Sequence, residues 1–161
     1  MESQSNRPVD FREAAFNKHG AKLYRIALAI LANKAEAEDV VHDAFIKLFE
    51  KLPSFESPNH EIAWLTKVTV NLCKNRLRSH WWKRTEPLLD TYPARNDYQQ
   101  GVMEAVLKLP KKYRAVIHLF YYEGYATKEI AEMTEQKEST VRQQLTRARR
   151  LLKEYLEGDY A

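Results

Sequence analysis

The chain has 161 residues, 44% hydrophobic and 30% charged, with four glycines and a net charge of +4. That composition excludes disordered and fibrous classes and suits a helix-rich globular protein, built as one domain or two small ones. The longest apolar stretch, IALAILA from Ile26 to Ala32, is too short to span a bilayer, and MESQSNRP lacks the basic-then-apolar order of a signal peptide, so a cytoplasmic protein without membrane insertion is expected. Cys73 is the only cysteine and no Cys/His cluster has zinc-ligand spacing, which excludes an intrachain disulfide and points to a metal-free, cofactor-free interior.

In chain order, Phe11, Ala15, Leu23, Ile26, Ala27 and Ile30 form a helical stripe, with Gly20 predicted as a break or kink. Asn33 is predicted to cap a helix over 34–52 that puts Val40, Val41, Ala44, Phe45, Leu48 and Leu52 on one side and Glu36, Asp39, Asp43, Lys47 and Glu50 on the other. Pro53 ends it, and PSFESPNH reads as a loop. Trp64, Leu65, Val68, Leu72 and Leu77 mark a third helix over 61–82, with Trp64 in the core stripe. Residues 83–98, with Pro87 and Pro93 in a polar stretch, read as a flexible linker.

Two short helices follow, GVMEAVLKLP ended by Pro110 and KKYRAVIHLFYYEG ended by Gly124. Thr127 is predicted to cap a short helix bearing Ile130, Ala131 and Met133; a polar turn over 135–137 leads into a long helix over 138–157. The expected fold class is all-α: two small helical domains, 1–82 and 99–161, joined by the linker 83–98, with a helix-turn-helix in the second.

The charge is unevenly placed. Residues 61–85 hold Lys67, Lys74, Arg76, Arg78, Lys83 and Arg84 against Glu61 alone, and residues 139–153 hold Arg142, Arg147, Arg149, Arg150 and Lys153 with no acid. Each segment carries +5, which leaves −6 on the rest of a chain whose net charge is +4. Two basic segments on an otherwise acidic protein suit two contacts with a polyanion such as nucleic acid. With Val141 at zero and about 100° per residue, Leu145, Ala148, Leu152, Tyr155 and Leu156 form one apolar seam; Arg142, Gln143, Thr146, Arg147, Arg150 and Lys153 lie opposite. A helix of this kind can enter the major groove, with arginines for phosphates or guanine edges and Gln143 or Gln144 for an adenine edge. No i,i+4 acid is expected to neutralise the strip before Glu154.

Three motifs, in order, resemble the extracytoplasmic-function, or group IV, bacterial sigma factors. AEDVVHDAFIKLFEKL is similar to the polymerase-binding helix, AWLTKVTVNLCKNRLRSH to the promoter-melting helix, and LPKKYRAVIHLFYYEGYATKEIAEMTEQKESTVRQQLTRARRLL to the module that reads the minus-35 element. The resemblance covers nearly the whole chain outside the linker and termini. It implies an alternative sigma factor, not an enzyme, whose partners are core RNA polymerase (the largest-subunit clamp coiled coil and the flap region), promoter DNA and an anti-sigma factor. By the same resemblance Glu38, Asp39, His42 and Asp43 bind the polymerase. Phe55, Asn59, Lys67, Asn71, Lys74, Arg76 and Arg78 hold the opened minus-10 strand. Thr140, Arg142, Gln143, Gln144, Thr146, Arg147 and Arg150 contact the minus-35 duplex.

The chain also departs from the family pattern. His42 stands where Gln is usual, which keeps a hydrogen-bonding group and adds a route to pH sensitivity. Thr134, Glu135 and Gln136 replace the usual Leu-Gly-Ile of the turn, so a reshaped turn is expected, and Gln143 and Gln144 replace a frequent Ser and Arg. Trp81 and Trp82 replace Arg or polar residues and are expected to pack on the helix end. The alternative reading is a helix-turn-helix regulator that acts without core polymerase; neither the acidic helix 34–52 nor the basic melting-type helix is required by it. Paired carboxylates for two-metal catalysis, a phosphate-cradling glycine loop and a Cys/His nucleophile pair are all missing from the sequence.

Overall fold

The computed structural model describes residues 2–79 and 100–158, and among these the chain is all-α. Helices α1 (Glu2–Leu31), α2 (Lys34–Lys51) and α3 (Pro58–Ser79) pack on one another as an N-terminal module. The C-terminal module comprises α4 (Gln100–Lys108), α5 (Lys111–Ile117), a π-helical turn (His118–Tyr122), α6 (Thr127–Met133) and α7 (Glu138–Gly158). The predicted linker 83–98, with Trp81 and Trp82 just before it, lies outside the described residues. No helix among the described residues is long and apolar enough to cross a membrane.

Gly20 does not break α1. The helix runs through it, and the Phe16 ring lies over it, 3.6 Å from where a Cβ would stand. Burial of Leu23, Ile26 and Ile30 after it outweighs the ~1 kcal/mol helix penalty of a glycine. Asn33 caps α2 as expected, its Oδ1 accepting from the Glu36 N–H at 3.0 Å, and Val40, Val41, Ala44, Phe45 and Leu48 are buried. Leu52, expected on that apolar side, is instead an exposed left-handed cap at φ 41°, donating its N–H to the Leu48 carbonyl before Pro53.

The loop after α2 is shorter than expected because α3 starts at Pro58. Proline has no N–H to leave unpaired in a first helical turn, and Ser57 Oγ accepts from the His60 N–H at 3.1 Å. Thr127 is the first residue of α6, not its cap. The Ala126 N–H is taken by the Glu129 carboxylate at 3.0 Å, while the Thr127 hydroxyl donates to Glu138 at the start of α7 at 2.9 Å. Gly124 does close its segment in the left-handed region, at φ 79°.

The two modules share one buried core, with α1 against α5 and α3 against α6. Arg114, only 3% exposed, donates from Nη2 to the Ile30 carbonyl at 2.6 Å and from Nη1 to the Leu107 carbonyl at 3.3 Å. Ile30 belongs to the last turn of α1, whose carbonyls lack helical partners and carry the negative end of the helix dipole, so a buried guanidinium fits there. Thr66 gives its hydroxyl hydrogen to the Ile62 carbonyl at 2.7 Å, which leaves Tyr125 as the donor in the 3.3 Å contact between the two hydroxyls. Glu123 accepts from His118 Nε2 at 2.7 Å and lies 3.5 Å from Arg25 of α1. Burial pushes the His118 imidazole below its ordinary pKa. Burial alone would raise Glu123, but the hydrogen bond from His118 and the nearby cations outweigh it and hold the carboxyl low.

Candidate nucleic-acid interface

Helix α7 has the two faces that its periodicity requires. Val141, Leu145 and Ala148 are buried, while Arg142, Gln143, Thr146, Arg147 and Arg150 are exposed opposite them and Thr140 is half-buried at the helix start. The strip is less purely cationic than its sequence implies, because the acids sit just outside it. Glu138 pairs with Arg142 at 2.7 Å, one turn earlier, and Glu157 lies 4.0 Å from Lys153. Arg149 turns away, hydrogen-bonding the Tyr121 hydroxyl and lying 5.8 Å over the Phe120 ring. Arg147 and Arg150 are exposed on the groove-sized face with no ion pair among the described residues, beside the exposed but paired Arg142 and Lys153.

The atypical turn before α7 keeps the geometry of a helix C-cap. The Gln136 N–H reaches the Ala131 carbonyl at 2.9 Å and the Glu135 N–H reaches Glu132 at 3.3 Å, a Schellman arrangement with Glu135 left-handed at φ 54°. The expected reshaping is therefore chemical and not geometric. Buried Thr134 donates its hydroxyl to the Ile130 carbonyl at 2.7 Å, and polar side chains stand where the family's apolar ones would pack. Gln144 belongs to this turn: it and Gln136 form a reciprocal amide pair, at 3.2 and 2.8 Å. Its place on the helix was the available signal, since about 300° from Val141 lies beside the apolar seam and not opposite it.

The basic residues of α3 are differently disposed. Lys74 donates to the Thr134 carbonyl across the module boundary, and burial lowers its pKa. Arg76 lies 3.7 Å from Asp39 and 3.4 Å from Asp43 on α2. Lys67 lines a cavity of about 370 Å³ with His60, Trp64, Glu129 and Glu132. Arg78 and Asn59 are exposed, and Asn71 is half-buried. Phe55 packs edge-on against Trp64 and His60, with ring centroids at 5.9 and 5.3 Å, so the loop aromatic is held by the start of α3. Cys73 is fully buried and its thiol is pushed up by that burial, an inert core position.

On α2, Glu38, Asp39 and His42 are exposed and Asp43 is half-buried. Glu38 and His42 rim an apolar groove of about 960 Å³ between α1 and α2, floored by Phe16, Phe45 and Phe49. Phe16 and Ile46 are exposed there, 56% and 38%, and neither belongs to the apolar stripes of its helix. The sequence signal of this groove is Ile46 at i+4 from His42, an apolar residue on the polar side of the helix.

Comparison with known proteins matches residues 15–83 to Sigma-70 region 2 and residues 99–152 to Sigma-70 region 4. The ECF RNA polymerase sigma factor SigM of Mycobacterium tuberculosis is 30% identical over 139 residues, covering 83% of this chain and 71% of the relative. The chain belongs to the ECF sigma factors. SigW of Bacillus subtilis is likewise 30% identical, over 158 residues and 83% of its length. Among solved structures, the Bartonella quintana sigma factor RpoE, in complex with the anti-sigma factor NepR, superposes with a TM-score of 0.73 at 24% identity, covering 92% of this chain and 97% of that one. CnrH, in complex with the cytosolic domain of CnrY, gives 0.64 at 23% identity. Both support the all-α fold. This chain is an alternative sigma factor for transcription initiation, and α7 is the second helix of its region 4 helix-turn-helix.

Proposed function

We propose that this ECF sigma factor, a non-enzymatic cytoplasmic subunit, binds core RNA polymerase through the α2 face of Glu38, Asp39, His42 and Asp43, and reads the promoter with two modules, 1–82 and 99–161. In this reading α7 lies in the minus-35 major groove with Thr140, Arg142, Gln143, Thr146, Arg147 and Arg150 toward the DNA. Phe55, Asn59, Lys67, Asn71, Lys74, Arg76 and Arg78 hold the opened minus-10 strand. The carrying observation is the division of α7 into a buried seam and an outward polar strip bearing Arg147 and Arg150 directly after a helix-turn-helix turn.

The two promoter elements lie about 25 base pairs apart, roughly 85 Å of B-form duplex at ~3.4 Å per pair. Lys74 of α3 here touches Thr134 of the helix-turn-helix. One chain that engages both elements at once therefore separates its modules, exchanging the Lys74, Arg25 and Arg114 contacts for contacts with DNA and polymerase. RpoE was solved with the anti-sigma factor NepR, and CnrH with the cytosolic domain of CnrY; by analogy with the first, an anti-sigma factor that holds the modules together is part of the reading. The test is in vitro transcription with core polymerase over a randomised promoter library. The expected result is one enriched minus-35 and minus-10 pair. Failure to bind core polymerase in a pull-down would overturn the reading in favour of a regulator that acts on duplex DNA alone.

A further inference from the structure

The adjacent glutamines of α7 are chemically identical and differently placed. Gln143 is exposed on the outward strip. Gln144 is half-buried and pairs with Gln136, the last of the three turn residues that depart from the family pattern. Each amide in that pair gives an N–H to the other's oxygen, which occupies the one edge of a carboxamide that presents a donor and an acceptor side by side. That edge is also the one a glutamine offers to N6 and N7 of adenine. Gln136 Nε2 in addition donates to Thr134 Oγ1 at 2.9 Å, and Thr134 passes its own hydrogen to the Ile130 carbonyl. A continuous hydrogen-bonded chain thus runs from α6 through the turn to the second turn of α7.

We propose that Gln136 is a positioning residue for promoter recognition: its amide pair with Gln144 locks the turn to α7 and withdraws the bidentate edge of Gln144 from DNA, leaving Gln143 as the amide that reads a base. This rests on α7 being the minus-35 helix. The energetic logic is the asymmetry of buried polar groups. With both amides present each satisfies the other; remove one, and its partner is left half-buried and unpaired, or swings out toward the groove.

The experiment is minus-35 selection by the full chain with core polymerase, together with thermal unfolding, on the wild type and five variants: Gln143→Ala, Gln144→Ala, Gln144→Leu, Gln136→Leu and the double variant Gln136→Leu/Gln144→Leu. Gln143→Ala is expected to lower preference for its base about tenfold, within the range of one bidentate contact. Gln144→Ala is expected to keep the wild-type base preferences while lowering the melting temperature. Gln136→Leu releases Gln144 and is expected to add or shift a preference at a neighbouring position. The double variant Gln136→Leu/Gln144→Leu replaces the amide pair by two apolar side chains and is expected to recover both the wild-type preference and much of the lost stability, a non-additive cycle. The proposal is overturned if Gln144→Ala erases a base preference as Gln143→Ala does, or if the stability effects of Gln136→Leu and Gln144→Leu simply add. Failure of the underlying reading looks different: the wild type itself then enriches no minus-35 sequence.

Discussion

The two basic segments carry the same +5 in sequence, yet on α3 Lys74 and Arg76 are engaged by other elements and Arg78 is exposed, while on α7 Arg147 and Arg150 are exposed with no ion pair among the described residues. On α3, Arg76 answers the acids of α2 and Lys74 answers a carbonyl of the other module. On α7, Arg142 and Lys153 have neighbours one turn away and Arg149 lies over aromatic rings, but Arg147 and Arg150 stand clear of the fold. Charge density in a sequence therefore measures how much cation a segment has and says little about where it is delivered. A polyanion can use Arg147 and Arg150 at once, whereas Lys74 and Arg76 exchange intramolecular partners first.

Arg114 ties the C-terminal module to the last turn of α1 through a buried guanidinium. Arg114→Ala removes a buried guanidinium from the carbonyls of Ile30 and Leu107, and is expected to cost about 3 kcal/mol in denaturant unfolding. An effect below ~1 kcal/mol would mean that the modules do not depend on it.

The two segments can be compared directly through salt dependence. Arg147→Ala with Arg150→Ala is expected to reduce the salt slope of minus-35 duplex binding by about two and to weaken it roughly ten- to a hundredfold. Arg76→Ala is expected to change single-strand binding less than either arginine alone changes duplex binding, because Asp39 and Asp43 already engage it. Equal slopes for the two segments would erase the contrast.

The buried His118–Glu123 pair gives the C-terminal module a pH signature. His118 has a folded pKa below its ordinary 6.5, so as pH falls through about 6.5 the unfolded chain takes up the proton first and stability drops. Glu123 is also held low, so its contribution is present above about 4.5 and is lost as pH falls further. Both shifts destabilise the fold in acid. Unfolding midpoints measured from about pH 7 to 5 should fall in the wild type and be flatter in His118→Gln.

The smallest expected effect is at Glu135. Glu135→Gly relieves a left-handed residue that a side chain makes costly, and is expected to stabilise the protein by about 1 kcal/mol without altering the selected minus-35 sequence. A gain of stability with a changed promoter preference would instead give the Glu135 side chain a part in DNA reading.

Much of this was legible in the residues. Asn33, Pro110 and Gly124 marked boundaries because capping and breaking are local chemistry, and the seam of α7 followed from a helical repeat alone. The exceptions have a common cause. Gly20 reads as a break from its own helix propensity, whereas the burial of Leu23, Ile26 and Ile30 that carries the helix through it depends on packing against other helices. Thr127 was misread as a cap because its partner is Glu138, eleven residues on.

The sequence by itself determined the helices, the two-module order, the family and the cationic face of α7, all of which depend on residues within a few turns of each other or on an ordered motif. Only the tertiary structure decided that Arg76 faces α2, that Arg114 caps α1, that Lys74 meets Thr134, and that of two adjacent glutamines one faces outward and the other is tied to a turn. Each of these is fixed by where separate helices cross, and a hydrogen bond is satisfied by whichever group that crossing brings within about 3 Å.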